Sequence, residues 1–275
     1  MPTNSHYKIG FIGGGNMSSA LIIGLKNQQF NPEQIQVVEL DQARRNALQQ
    51  NLQVHVTADL KDIAQNDVIV LAVKPQQLKA VALELAPLLS QQLVISIAAG
   101  VRLTDLSRWL NQYSKIIRCM PNTPAQIQMG ITGLYAMPLV SALEKETATQ
   151  ILSAAGQTLW LANEDEIDAV TAISGSGPAY VFYLIEALQE AAINLGLTVD
   201  QAKQLSIATF KGASLLAESS STPIHTLREQ VTSKGGTTEQ GLLSLAQSQV
   251  KQAMILATQQ AEKRAKILGD ELGKL

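Results

Sequence analysis

The chain is poor in the residues that do the most recognisable chemistry. It has one cysteine, Cys119, in 275 residues, so no internal disulfide can form and a reducing compartment suits it. Its three histidines, His6, His55 and His225, lie far apart and lack the spacing of metal ligands, so no metal is expected. Charged residues make up 16% and the formal net charge is −2. That balance excludes the basic surface that nucleic acid or an anionic membrane face selects. No apolar run reaches the roughly 18 residues of a membrane span. The opening MPTNSHYK lacks the apolar centre of a secretory leader, and a cytoplasmic protein is the expectation. What the chain does have is 46% hydrophobic residues, enough for a core and for a buried subunit interface. Its length fits one large domain or two modest ones.

Through the first half, short apolar runs alternate with helical patterns. The runs are YKIGFIG at 7–13, IQVVEL at 35–40, VHV at 54–56, NDVIVLAV at 66–73, QLVISIAAG at 92–100 and SKIIRCM at 114–120. A helix over 16–29 follows the first run, and the polar helix DQARRNALQQN follows the second. Continuous apolar strands separated by helices predict a parallel sheet covered on both faces, a doubly wound α/β domain. Near residue 163 the pattern changes. NEDEIDAV opens a stretch of helical periodicity without a strand. Val181, Leu184, Ile185, Leu188, Ala191, Ala192 and Leu195 repeat at three- and four-residue spacing, and Gly196 stops that helix. A second long helix is expected over 199–219, with two more after VTSKGGTT. The expected organisation is a Rossmann-like dinucleotide-binding domain over 1–163 and an all-α domain over 164–275.

FIGGGNMSSA joins the first strand to the first helix. Gly13, Gly15 and Ser18 occupy the three small positions of the dinucleotide fingerprint. The first permits a tight turn, the second lets a pyrophosphate approach the backbone, and the third lets helix and strand pack. Serine stands where glycine or alanine is usual, but it is still small. N–H groups at the start of the helix would face the pyrophosphate. A glycine-rich turn that binds nothing is the plainer alternative, and the flanking strand and helix weigh against it. Glu39 ends the second strand, where a carboxylate accepts from a ribose diol and favours NADH. Arg44 and Arg45 begin the next helix and offer a clasp for the 2′-phosphate of NADPH. The acidic position is the better-understood signal and tips the expectation toward NADH, with NADPH kept open.

Ligands of such sheets bind beyond the carboxyl ends of the strands. The loops there are AVKPQ at 72–76, IAAGV at 97–101 and RCMPNTPA at 118–125. Pro75 ends its strand sharply after Lys74, and Asn122 with Thr123 lies between two prolines. In the helical half, VTSKGGTTEQG at 231–241 interrupts helices with two adjacent glycines. Its only carboxylate is Glu239. Read locally, it is a glycine helix stop followed by an N-capping threonine. The segment SGSGP at 174–178 reads as a turn into a helix, with Pro178 in the first turn.

FIGGGNM, AVKPQ, SIAAGV, RCMPNTPA, DAVTAISGSGPAYVF and VTSKGGTTEQGL stand in this order over nearly the whole length. With these motifs the chain resembles the pyrroline-5-carboxylate reductase family. The resemblance implies reduction of 1-pyrroline-5-carboxylate to proline with NADPH or NADH, the last step of proline synthesis. It also implies a helical domain that forms a homodimer, with dimers stacked into decamers in some members. By resemblance, Gly13, Gly15, Asn16 and Met17 line the pyrophosphate. Val73, Lys74 and Pro75 lie along the dinucleotide, and Ala98 and Asn122 sit near the nicotinamide. The substrate loop corresponds to 231–238, from Val231. The backbone at Ser233, Gly235, Gly236 and Thr237 would hold the small imino acid's carboxylate, and Thr238 would bond its ring nitrogen. Such a reduction needs an anchored carboxylate and a positioned ring more than a strong protein acid.

Two departures stand out: Lys234 where the family usually has proline, and Ala246 where a carboxylate or amide is common. The rival readings are another imine reductase, a β-hydroxyacid dehydrogenase and a non-catalytic dinucleotide sensor. The second normally uses a lysine in its helical domain, and the helix over 179–195 has none. A sensor has no need of an anion-holding loop.

Overall fold

The computed structural model describes residues 7–274; His6 and the rest of MPTNSH lie outside them. By compactness the chain divides in two. Residues up to Ser176, together with those from Ala261 onward, form the first unit, and Gly177–Gln260 forms the second.

The first unit is built on one sheet. Strands β1 (Ile9–Ile12), β2 (Ile35–Val38), β3 (His55–Thr57), β4 (Val68–Leu71), β5 (Leu93–Ser96) and β6 (Ile116–Met120) run parallel. Helices α1 (Asn16–Asn27), α2 (Gln42–Leu52), α3 (Pro75–Leu85) and α4 (Leu103–Trp109) lie between them, with a 3-10 segment linking β3 to β4. The strand order is β3-β2-β1-β4-β5-β6, which reverses direction between β1 and β4. Every residue of β1, β4 and β5 is buried, as apolar strands covered on both faces should be. Phe11, Leu21, Val70 and Ile95 fill one face, and Ile12, Ile69, Leu78 and Val94 fill the other.

The sheet extends further than the apolar runs foretold. β7 (Gly130–Ala136) lies antiparallel to β6, and β8 (Gly156–Trp160) runs parallel to β7. The connecting helix α5 (Ala142–Ser153) starts on a capping box between Ser141 and Glu144. GITGLYA and GQTLW carry glycine and polar residues, which mask a strand in sequence. The glycines have a physical role here. Gly130 and Gly156 are direct partners in the ladder, and a Cβ on Gly156 would collide with the Gly130 backbone. After β8, α6 (Glu166–Val170) buries Ile167 and Asp168, and a π-helical turn, Thr171–Gly175, follows it.

The second unit is helical throughout. It holds α7 (Gly177–Asn194), α8 (Val199–Glu218), α9 (Ile224–Gln230), α10 (Thr237–Gln247) and the first part of α11 (Val250–Gly273). Gly196, at φ +92°, ends α7 as the sequence indicated. Thr198 and Gln201 form a capping box at the start of α8. Helix α9 was not foreseen, because seven residues are too few to display a period. Helices α7, α9 and α10 bury no residue within the chain. Phe182 is 66% exposed, Tyr183 70% and Leu195 85%. Apolar surface on this scale marks a face that another molecule covers.

Candidate active site

The sheet reverses its winding between β1 and β4, and there a cleft of about 1380 Å³ opens at the carboxyl ends of the strands. Gly13, Gly14 and Gly15 line it from the end of β1, Glu39 and Asp41 from β2, and Val73 and Lys74 from β4. Gly13 is held at φ +98°, and a Cβ there would stand 2.8 Å from the carbonyl oxygen of Ala72. A Cβ on Gly15 would meet nothing within 4 Å. The turn therefore needs its first glycine for its own fold, while the second leaves open space. Ser18, fully buried, donates its hydroxyl to the carbonyl of Gly13 at 2.6 Å and ties helix to turn.

The start of α1 is bare of acceptors. Among the described residues, the N–H groups of Gly15, Asn16, Met17 and Ser18 donate to nothing, and the first helical bond to the turn is Ser19 N–H to Gly15 O. Four converging donors at the positive end of a helix fit a dinucleotide pyrophosphate. Asn16 and Met17 would contribute through their backbone, since neither side chain lines the cleft.

Glu39 is more heavily engaged than its sequence position implies. Its Oε2 accepts the N–H of Gly14 at 3.0 Å, and its Oε1 accepts that of Asp41 at 3.0 Å. Arg44 Nη1 stands 3.6 Å from Oε2 and lines the cleft with a largely exposed side chain. Arg45 turns away from the cleft lining and donates to the carbonyls of Glu39 and Leu40 at 2.7 Å. Lys61, after β3, also lines the cleft; the rule that ligands sit at strand carboxyl ends would have found it.

Pro75, Ala98 and Asn122 stand outside this lining. Pro75 is the first residue of α3, where its ring needs no N–H partner. Ala98 is buried just past β5. Asn122, just past β6, commits its side chain within the fold: Nδ2 donates to Ser174 O at 3.2 Å, and Oδ1 accepts from Ile131 N–H at 2.9 Å.

Close by, Arg118 is 3% exposed on β6 and pairs with Glu164 at 2.8 Å and with Asp168 at 3.4 Å. Burial pushes the Asp168 carboxyl above its ordinary range, against the pull of Arg118. Burial also pushes the Cys119 thiol up, which makes it a core residue and no nucleophile.

In the second unit, Val231 ends α9 with its side chain exposed. Gly235 is left-handed at φ +73°, and Gly236 is the N-cap of α10. The cap is thus the glycine and not the expected threonine. Its lack of a side chain matters, because a Cβ would collide with the Ser233 hydroxyl. Two of the expected donors are used internally. Gly235 N–H donates to Glu239 Oε2 at 2.8 Å, and Gly236 N–H to Ser233 O at 3.0 Å. Among the described residues, the N–H groups of Thr237, Thr238 and Glu239 have no acceptor, and the exposed Thr238 hydroxyl has no partner. Of the four expected donors, the N–H groups of Ser233 and Thr237 therefore stay open among the described residues, and Thr238 and Glu239 add two more.

A sheet that reverses its winding, with a bare helix N-terminus in the crevice, has the form of a dinucleotide-binding site. The likenesses to known proteins are close. Residues 164–268 match the family described as pyrroline-5-carboxylate reductase dimerisation, and residues 8–100 match NADP oxidoreductase, coenzyme F420-dependent. A pyrroline-5-carboxylate reductase of Pseudomonas aeruginosa is 43% identical over 268 residues, covering 95% of this chain and 98% of that protein. A solved pyrroline-5-carboxylate reductase of Coxiella burnetii is 42% identical at a TM-score of 0.92, covering 95% of this chain and 98% of the other. One from Plasmodium falciparum, solved with NADP bound, is 31% identical at a TM-score of 0.86, covering 96% and 98%. The chain belongs to the pyrroline-5-carboxylate reductase family.

Proposed function

We propose that the protein reduces 1-pyrroline-5-carboxylate to L-proline, with reduced nicotinamide dinucleotide held in the cleft of the first unit. The observation that carries the reading is the pair of bare helix starts, one at α1 in a glycine-lined crevice and one at α10 behind the 235–236 glycines. The first matches a pyrophosphate and the second a small carboxylate. The reduced cofactor, when bound, supplies a hydride to the C=N carbon. The chain's residues supply position and dipoles. The N–H groups of Thr237, Thr238 and Glu239 hold the substrate carboxylate, and the Thr238 hydroxyl shares a proton with the ring nitrogen as iminium becomes amine. Gly235 and Gly236 shape the loop, with Ser233 and Val231 as its walls.

The cofactor reading favours NADPH. Glu39, which would disfavour a 2′-phosphate, already accepts two N–H groups and faces Arg44. Arg44 and Lys61 add two cations to the same lining. NADH fits the same crevice without that gain. We assign dinucleotide binding to the domain expected over 1–163, together with the end of α11 that packs on it, and substrate binding and dimerisation to the remaining helices from 164 onward.

The protein self-associates, as its dimerisation domain and its exposed apolar helices require. We take the basic form to be a homodimer, and the higher form to be a decamer. No helix among the described residues is long and apolar enough to cross a membrane; a cytoplasmic location remains part of this proposal.

The test is loss of cofactor absorbance with pyrroline-5-carboxylate, compared with 2-keto and 2-hydroxy acids. Turnover of the cyclic imine alone supports the reading. Turnover of only the acyclic acids, or of none, overturns it.

A further inference from the structure

Glu164 stands between β8 and α6, outside every motif that carried the family reading. Its Oε1 accepts two hydrogen bonds at once, from Leu103 N–H at 2.7 Å and from Arg118 Nη1 at 2.8 Å. Leu103 is the first residue of α4 and closes the loop that begins after β5 and carries Ala98. Arg118 lies on β6, two residues from Met120, after which the chain passes to Asn122. The two strands are neighbours, and Ser96 pairs directly with Arg118. One carboxylate oxygen therefore ties together the two loops beyond β5 and β6.

The tie is well built. Arg118 is nearly fully buried, and Asp168 takes its other nitrogen. A charge buried on this scale holds a fixed geometry, because each group that moves leaves another unpaired. Glu164 is itself partly exposed, so it reaches the pair from the edge. Neither loop lines the cleft between β1 and β4. The resemblance that sets Ala98 and Asn122 near the nicotinamide assigns them to the other end of the dinucleotide.

We propose that Glu164 is a positioning residue for hydride transfer, acting through Leu103 and Arg118 on the loops that border the nicotinamide end. This rests on the function proposed above. Removing it should spare cofactor affinity, which the cleft supplies, and damage the geometry of transfer. A misplacement of about 1 Å costs up to roughly a hundred-fold in rate.

The experiment compares wild type with Glu164→Ala and Glu164→Gln in the full chain. The expected result for Glu164→Ala is a fall in kcat of about ten- to a hundred-fold. The dissociation constant for NADPH, read by its fluorescence, should stay within about two-fold, since the cleft residues are untouched. The primary isotope effect with 4-deuterated NADPH should rise as transfer becomes limiting. Glu164→Gln keeps an acceptor for Leu103 N–H and should recover part of kcat.

Unchanged kcat and isotope effect, even with a lowered melting temperature, would mean Glu164 is merely structural and would overturn the proposal. Should Glu164→Ala not fold, Glu164→Gln carries the same comparison. If wild type does not reduce pyrroline-5-carboxylate, the functional reading fails by itself. Amide exchange then decides the tie: faster exchange at 98–103 and 120–123 in Glu164→Gln supports it, and unchanged exchange refutes it.

Discussion

Glu239 accepts the N–H of Gly235 at 2.8 Å, so the loop before α10 carries its own carboxylate against one of its glycine amides. This bond closes the turn and leaves open donors in the first turn of α10. It also leaves a negative charge beside the place where a substrate anion would dock. Glu239→Gln keeps an acceptor and removes the charge. A charge at a helix start is worth about 0.3–1 kcal/mol, so KM for pyrroline-5-carboxylate should fall about two- to five-fold. Steady-state kinetics measure it. An unchanged KM would remove the substrate carboxylate from this helix start.

Among the described residues the hydroxyls of Thr237 and Thr238 are both free at the start of α10, and the function proposed above sets Thr238 beside the ring nitrogen. Thr238→Ala should lower turnover by roughly ten- to a thousand-fold, the range for a positioned hydrogen bond at a reacting centre. Intact turnover in the variant rules out a partnership with the nitrogen.

Arg44 is the cation nearest Glu39 in the cleft. A bond to a charged group is worth about 1.5–3 kcal/mol, so Arg44→Ala should raise KM for NADPH by about ten- to a hundred-fold and leave NADH nearly untouched. Parallel KM measurements with the two cofactors decide it. Equal losses would place the 2′-phosphate elsewhere.

Gly13 and Gly15 make a contrasting pair. Gly13→Ala forces a side chain into a left-handed turn against Ala72 O and should lower the melting temperature. Gly15→Val adds atoms to open space, so folding should hold while both cofactors lose affinity. Melting curves and cofactor titrations separate the two. A stable, fully binding Gly15→Val would mean the pyrophosphate lies away from α1.

Glu144 gives a pH test. Partial burial would raise its pKa, but the Ser141 hydrogen bonds and Lys115 outweigh burial and hold it below the usual carboxylate range. A lowered folded-state pKa gives stability that is present above the unfolded value and lost as pH falls through the folded one. Melting temperature should therefore drop with acidification in this window, and Glu144→Gln should flatten that part of the curve. An identical pH profile in the variant means that Glu144 contributes nothing to acid sensitivity.

Much of this was legible in the sequence because backbone demands leave marks in residue type. Gly13 sits where only glycine suits a left-handed tight turn, and Gly196 marks a helix stop. The continuous apolar strands β1, β4 and β5 announce burial on both faces. The miss at β7 and β8 came from strands whose glycines serve mutual approach and so look like turns. Side-chain partners left no mark at all. Glu39 reads as a ribose carboxylate and Glu239 as the one acid of its loop, and only the folded structure shows each accepting a backbone N–H. The Glu164–Arg118 pair spans 46 positions along the chain, beyond the reach of any local pattern.

Helix α11 ends by returning to the first unit. Leu272 joins the apolar layer of Leu78, Leu85 and Leu106, Leu268 packs against Gly100, and Asp270 meets Arg102 at 2.7 Å. The nucleotide-binding half is thus discontinuous in the chain and finished by its last residues. A single cut after residue 163 would release a fragment with a furrow of bare leucines, one inclined to stick to itself. Excising that half intact calls for grafting the final turns of α11 back onto it.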